Sequence, residues 1–439
     1  MTHAGPAGTG GAEATGAAGG VHARLVRGSA WLVATVAVTA LSGFSFWLVA
    51  ARLEDADFVG QATALFTSAL FVNYVTNLGL PVALARYVVD DRRPTHRLYG
   101  LAAVATMAST LFVGIAYVAL LKGDARESLD ALGIWGPIIF VLVAIGMAST
   151  VLVEVRLMAM RRWGWVFGRV LIVAVGRVAL LLLRPDGDPA LWLFLAVAAP
   201  VALSGFGGLV ALRMTGHGPT WPWPLPASTE PAARLAGVNW VALLLAQAPQ
   251  FALPVLVLRE VADDDYASFY IAFGVATVVF LLPHTIGQVL VVEGGRDGAD
   301  LGAQFRVALL LSGALMGVIA AVTWAGSGLV TVVYGEDYAD AQRILPLLVG
   351  AGLFWALTST CLARARVLED SMATMAITAS FAVATLVPAA LLVSDHGGDG
   401  ATAAWLIGNM VAAAVALATM ARRPARRSPV PDPVALAAR

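Results

Sequence analysis

The 439-residue chain has one cysteine, Cys361, and one lysine, Lys122. A single thiol excludes an intrachain disulfide and leaves the redox compartment open. Charge is scarce, at 13% of residues, and the formal net charge is zero. No Gly-rich loop ending in GK[ST] is present, so the chain carries no internal ATPase of that kind. No Cys/His/carboxylate cluster has metal-ligand spacing. We therefore expect no metal, no cofactor and no nucleic-acid partner. No long polar loop is present that could house a glycosyltransferase, ligase or polymerase site, so we expect no enzyme. The first apolar run, about residues 29–51, exceeds a signal-peptide core, and no small-residue cleavage site follows it.

What the sequence has instead is apolar length. Hydrophobic residues make up 59%, and the mean hydropathy is +0.80. The reading is an all-α polytopic membrane protein. Twelve spans are expected, at 29–51, 58–84, 98–121, 131–153, 165–183, 190–212, 235–258, 266–292, 307–333, 342–363, 372–393 and 401–420. They divide the chain into a disordered N-tail (1–28), an N-lobe (29–212), a linker (213–234), a C-lobe (235–420) and a basic tail (421–439). The linker holds Trp221 and Trp223 among prolines, which suits the headgroup interface. Nineteen basic residues fall on the side of the termini and six on the other. Both termini are therefore expected in the cytoplasm, and the location is read as a bacterial inner membrane.

Sliding the chain by 208 residues lays Asp57 on Asp265, Gly79 on Gly287 and Arg156 on Arg364. Span starts coincide as well. Two parallel six-helix lobes around a central cavity suit a transporter that rocks about a central site.

The candidate site residues are the polar ones inside spans. Arg162, Arg169, Arg177 and Arg184 form one stripe on the fifth span at 100° per residue. An arginine at mid-bilayer costs roughly 2.5–3.5 kcal/mol, so this stripe needs water, a carboxylate or an anionic ligand. With no clear partner carboxylate in other spans, a wet cationic path for an anionic substrate is expected. Snorkelling of Arg169, with only Arg177 embedded, is the competing reading. Asn73 and Asn77 share a face of the second span. Asn239, Gln247 and Gln250 lie beside Pro249 and Pro254 in the seventh. His284 and Gln288 lie beside Pro283 in the eighth. Proline frees backbone carbonyls, which suits helices lining a cavity. Glu154 and Glu293 are the only carboxylates placed to couple an ion.

Two stretches carry a family resemblance. Ala51-Arg52-Leu53 through Phe58-Val59-Gly60, with Asn77-Leu78-Gly79-Leu80-Pro81 and Ala85-Arg86-Tyr87, resembles the "ARxLxxxxFGxxxL … LGLxxALxRY" pattern of bacterial oligosaccharide flippases. Tyr334-Gly335-Glu336-Asp337-Tyr338, with Leu345-Pro346-Leu347-Leu348, resembles their "YGxxYxxAxxxLxxL" pattern. The resemblance implies the multidrug/oligosaccharidyl-lipid/polysaccharide exporter superfamily and, within it, the polysaccharide flippases. It implies a polyprenyl-diphosphate-linked oligosaccharide as substrate, with the lipid bilayer and a pathway glycosyltransferase or polymerase as partners. It also implies Arg24, Arg27 and Arg86 as first diphosphate contacts at the cytoplasmic mouth. A peptidoglycan-precursor flippase, a drug/cation antiporter and a non-transporting scaffold of a glycan-synthesis complex are the alternatives.

Overall fold

Among the described residues, eleven stretches are long and apolar enough to cross a membrane, and the last of them is 51 residues long. At 1.5 Å per residue that helix would extend about 77 Å, more than twice the ~30 Å hydrocarbon core. Gly397, at φ 50° and ψ −128°, kinks it into two crossings. Twelve crossings result, as the hydropathy pattern requires.

The computed structural model describes residues 10–88, 93–121, 124–130, 132–183, 188–260, 263–295, 300–334 and 339–421. The first half holds α1 (Gly10–Leu53), α2 (Ala56–Thr76), α3 (Leu80–Tyr87), α4 (Arg93–Leu120), α5 (Asp124–Asp130), α6 (Trp135–Ala159), α7 (Trp163–Leu182) and α8 (Pro189–Met214). The second holds α9 (Thr229–Glu260), α10 (Asp263–Gly294), α11 (Leu301–Ala325), α12 (Leu329–Tyr334), α13 (Ala339–Gly350), α14 (Gly352–Val367) and α15 (Ser371–Ala421). No strand occurs among the described residues.

Local chemistry sets the helix ends. Pro189 opens α8, and Asp188 caps it by accepting from the Leu191 N–H at 2.9 Å. Asp300 caps α11 in the same way, through the Ala303 N–H at 3.0 Å. Both replace a bond that a helix N-terminus lacks. Phe112, Ile172 and Leu391 stand exposed on the outer helix faces, where lipid is their solvent. Exposed Trp135, Trp165 and Trp324 sit at helix ends, the level of the headgroups.

Three expectations need correction. The stretch up to residue 20, expected to lack regular structure, is helical from Gly10. The second span, expected unbroken over 58–84, stops at Thr76. Leu78 and Gly79 then take φ 52° and 65°, and Pro81 starts α3 in the first turn, where proline is tolerated. The linker is shorter than 213–234, because α8 runs to Met214 and α9 begins at Thr229. It is also tied down. The Thr220 N–H donates to His96 O at 3.3 Å, and Arg156 Nε donates to His217 O at 3.2 Å.

The buried side chains group into three cores. One is built from the first half alone, from Phe46 through Leu65 and Phe140 to Ala202. A second is built from the second half alone, around Phe269, Phe280, Phe381 and Trp405. The third draws on both, from Leu25, Leu84 and Trp163 to Val289, Val292 and Val367. Its members come from Leu25 and Leu32 of α1, the ends of α6 and α10 and both ends of α15. We call the face where α1 enters its span the proximal face. The two lobes share one core at the proximal face and keep separate cores at the distal face.

Candidate functional site

The lobes meet through α1, α3, α9 and α10. Above this contact, toward the distal face, the two lobes keep separate cores, and we call the region between them the cleft. Its floor is at the break between α2 and α3. The break leaves the Val75 carbonyl without its helical donor, and Trp240 Nε1 of α9 supplies one at 2.9 Å. A Cβ at Gly79 would strike the Ala236 carbonyl and the Trp240 N–H. Only glycine permits both the left-handed backbone and this approach. One turn up, Tyr74 meets Phe251 edge to face at 5.7 Å and shares a side-chain hydrogen bond with Gln247. The floor is aromatic and amide-lined, and it carries no formal charge.

Beneath the floor, two ion pairs join the lobes. Arg161 binds Glu293 through two donors on one guanidinium edge, Nε and Nη2, with Nε at 2.6 Å from Oε1. Arg86 Nε binds Glu369 Oε1 at 3.1 Å, and its Nη1 donates to Gly295 O at 2.9 Å. Tyr87 donates its hydroxyl to Glu369 Oε2 at 3.2 Å. Arg161 and Glu369 are 208 residues apart, the repeat offset. Both take left-handed backbone, at φ 57° and 56°. The surrounding bonds match as well. Arg161 N–H reaches Met158 O and Arg162 N–H reaches Leu157 O, as Glu369 N–H reaches Arg366 O and Asp370 N–H reaches Ala365 O. Each residue thus ends its helix in a Schellman-type cap and reaches across to the other lobe. The clamp is a pseudo-twofold device with its charges exchanged.

The clamp has a pH signature. Burial and the facing Glu369 carboxylate push the Tyr87 hydroxyl up to about 12. A raised acid is stabilising while protonated, so its contribution is full below about 10, its unfolded value, and is lost toward 12. We expect the proximal contact to loosen across pH 10–12 in wild type and not in Tyr87→Phe, followed by tryptophan fluorescence.

The sequence-derived candidates distribute as follows. The fifth-span stripe lies inside the N-lobe, since α7 packs on α1 and α8. Arg169 has a carboxylate after all: Nη2 is 3.3 Å from Glu154 Oε2, and Nη1 donates to Ser204. Arg177 donates to Val197 O at 3.1 Å, in the turn that Pro200 kinks, and lies 3.5 Å from Ser42 Oγ. Arg162 is exposed, and Arg184 lies outside the described residues. Arg169 and Arg177, the members of the stripe inside the helix, are therefore met by internal acceptors. Arg27 is exposed, and the Arg24 side chain lies outside the described residues. Asn73 turns inward to Ala69 O and Ala144 O. Asn77 is the first residue of the break. Gln250 is half-buried on α9. Glu154 and Glu293, the two candidate ion carriers, both sit in ion pairs. Asn239, His284 and Gln288 come together in the C-lobe.

Sequence reasoning missed Tyr74, Trp240 and Phe251 on the floor, and Arg366 and Glu369 near it. Tyr74 stood between the two flagged asparagines. Arg366 counted only as a loop charge.

No family model matches the chain, and no curated protein does. Solved structures do. The chain superposes on a mutant of the Vibrio cholerae MATE transporter VcmN with a TM-score of 0.76 at 14% identity, covering 91% of this chain and 96% of that one. It matches an outward-facing multidrug resistance MATE family transporter of the MOP superfamily with a TM-score of 0.73 at 15% identity, covering 91% and 94%. A Pyrococcus furiosus MOP superfamily transporter described as having a binding pocket of reverse polarity gives 0.71 at 14%, covering 91% and 95%. At these identities the likeness is one of fold: the chain has the two-lobed, all-helical MATE fold.

Proposed function

We propose that this chain is a membrane exporter working by alternating access, and that its cargo is an amphiphilic organic molecule of the multidrug type. The carrying observation is the arrangement of its cores, one shared at the proximal face and two separate at the distal face. Such a molecule opens at one end only, and rocking of the lobes moves the opening. With the proximal face in the cytoplasm, as the arginine distribution places it, this is the outward-open state. Export from the cytoplasm across a bacterial inner membrane follows from that orientation.

The floor supports the cargo class. Tyr74, Phe251 and Trp240 offer flat apolar area, and Gln247 and Gln250 offer a few directed hydrogen bonds. Such pockets take amphiphiles. The fold likeness to multidrug transporters points the same way. The flippase reading keeps one specific support: the family-like Asn77–Pro81 stretch is the break on which the lobes lock. It placed Arg24, Arg27 and Arg86 as the diphosphate contacts, and of these Arg86 is committed to Glu369. The cleft floor favours the first reading.

The test is transport in proteoliposomes under an imposed proton or sodium gradient. Wild type should move an amphiphilic dye. Tyr74→Ala should raise KM for the dye by about tenfold, the loss of one aromatic contact and one hydrogen bond. Movement of a labelled polyprenyl-diphosphate oligosaccharide but no dye would establish the flippase reading. Movement of neither would sink the export proposal.

A further inference from the structure

We infer a second binding site, inside the C-lobe below the cleft floor, that takes a phosphate-type oxyanion on Arg366, His284 and Gln288. Arg366 is the next-to-last residue of α14. Its Nε donates to Asn239 Oδ1 of α9 at 2.9 Å, and no carboxylate pairs with it among the described residues. Arg86, Arg161 and Arg169, by contrast, each have one. Asn239 is 2% exposed, and its amide N–H is held by Leu235 O at 2.9 Å. That bond orients the Asn239 oxygen, which in turn orients the guanidinium. Asn239 is the positioning residue.

Across from it on α10, which packs along α14 with Gly287 against Ala363, His284 Nε2 and Gln288 Nε2 are 3.4 Å apart. Ser359 Oγ of α14 donates to Pro283 O at 3.2 Å, which fixes the two helices together beside the cluster. Asn239 lies ten residues into α9, about 15 Å of helix from its start. Arg366, His284 and Gln288 all stay half-buried rather than sealed. A charged side chain left open at that depth needs a wet lumen or an anion, because hydrocarbon does not accept it.

The chemistry fits a tetrahedral oxyanion. Arginine has five N–H donors, one of them spent on Asn239, so the terminal fork can meet two oxygens. The Gln288 amide and a His284 ring N–H add directed donors. Among the described residues no carboxylate pairs with the fork to neutralise it. A free phosphate ester or an anionic lipid headgroup presents the same atoms. The inference goes beyond export and is read by binding alone, so a failure of transport leaves it standing and its own failure leaves transport standing.

The experiment uses the full chain in nanodiscs and follows thermal unfolding. One arm adds inorganic phosphate or pyrophosphate to phosphatidylcholine discs. The other compares phosphatidylcholine discs with discs containing phosphatidylglycerol. Gln288→Glu keeps Arg366 and Asn239 in place and gives the guanidinium an internal partner. Arg343→Gln, on the exposed distal surface, controls for general charge. A stabilisation in the first arm that Gln288→Glu weakens by about tenfold in concentration assigns a soluble phosphate. A stabilisation confined to phosphatidylglycerol and lost in Gln288→Glu assigns a lipid headgroup. An equal response in wild type, Gln288→Glu and Arg366→Lys, or no response in either arm, overturns the site.

Discussion

Arg161→Ala is expected to open the proximal face. The substitution leaves Glu293, whose side chain is 5% exposed, without its cation. Stranding one member of a buried pair costs about 3–5 kcal/mol. Arg161 itself is about one third open, so the loss here falls toward the lower end. The pair can exist only while the lobes are closed at this face. The whole loss therefore falls on the state closed at the proximal face, and its population drops by about two orders of magnitude relative to the alternative. Spin labels at exposed Arg162 and Arg306, in a Cys361→Ala background, read this directly. Wild type should give one short distance. Arg161→Ala should give a longer one, and the exchanged pair Arg161→Glu with Glu293→Arg should restore the short one. An unchanged distance in Arg161→Ala would show that the pair does not hold the lobes. Export should fall in the single variant, since a transporter that favours one face completes fewer cycles.

Gly79→Ala should damage the same state from the floor. Left-handed backbone costs an ordinary residue about 1–2 kcal/mol. The added methyl also meets the backbone of α9, which cannot yield as a side-chain tip can. The expected result is displacement of α3 from α9 and loss of the Trp240 bond to Val75 O. Trp240→Phe removes that bond alone and leaves a buried carbonyl unsatisfied, at about 1–3 kcal/mol. Hydrogen exchange over residues 75–87 and 236–242 separates the two. Exchange should rise strongly in Gly79→Ala and modestly in Trp240→Phe. If Gly79→Ala exchanges as slowly as wild type, the close approach is not what seals the floor.

Both predictions rest on residues that the repeat relates imperfectly. Gly79 and Gly287 coincide at the 208-residue offset, yet Gly79 sits in a break and Gly287 in the unbroken α10. The difference is local. Leu78 and Gly79 leave the right-handed region and Pro81 starts a new helix, whereas Pro283 precedes Gly287 and only bends α10. Arg161 and Glu369 also coincide, share a backbone conformation, and carry opposite charges. The repeat therefore kept the shape of the clamp and exchanged its polarity, which lets each lobe pair with the other and not with itself.

Helix number and the duplicated layout could be read from the sequence, because burial in lipid forces long apolar runs whatever their neighbours are. The resemblance to flippase patterns led to the two-lobed fold and to the Asn77–Pro81 and Ala85–Tyr87 stretches that became the floor and half of the clamp. The partners of the arginines could not be read. Arg169 finds Glu154 fifteen residues away on another helix, and Arg86 finds Glu369 in the other lobe. A stripe of cations on one helix fixes only its own face. Whether it lines a wet path or closes an ion pair depends on which helix packs against that face, and side-chain packing between helices sets that choice. Composition determined that this chain spans a membrane twelve times, and tertiary structure decided where its charges are spent.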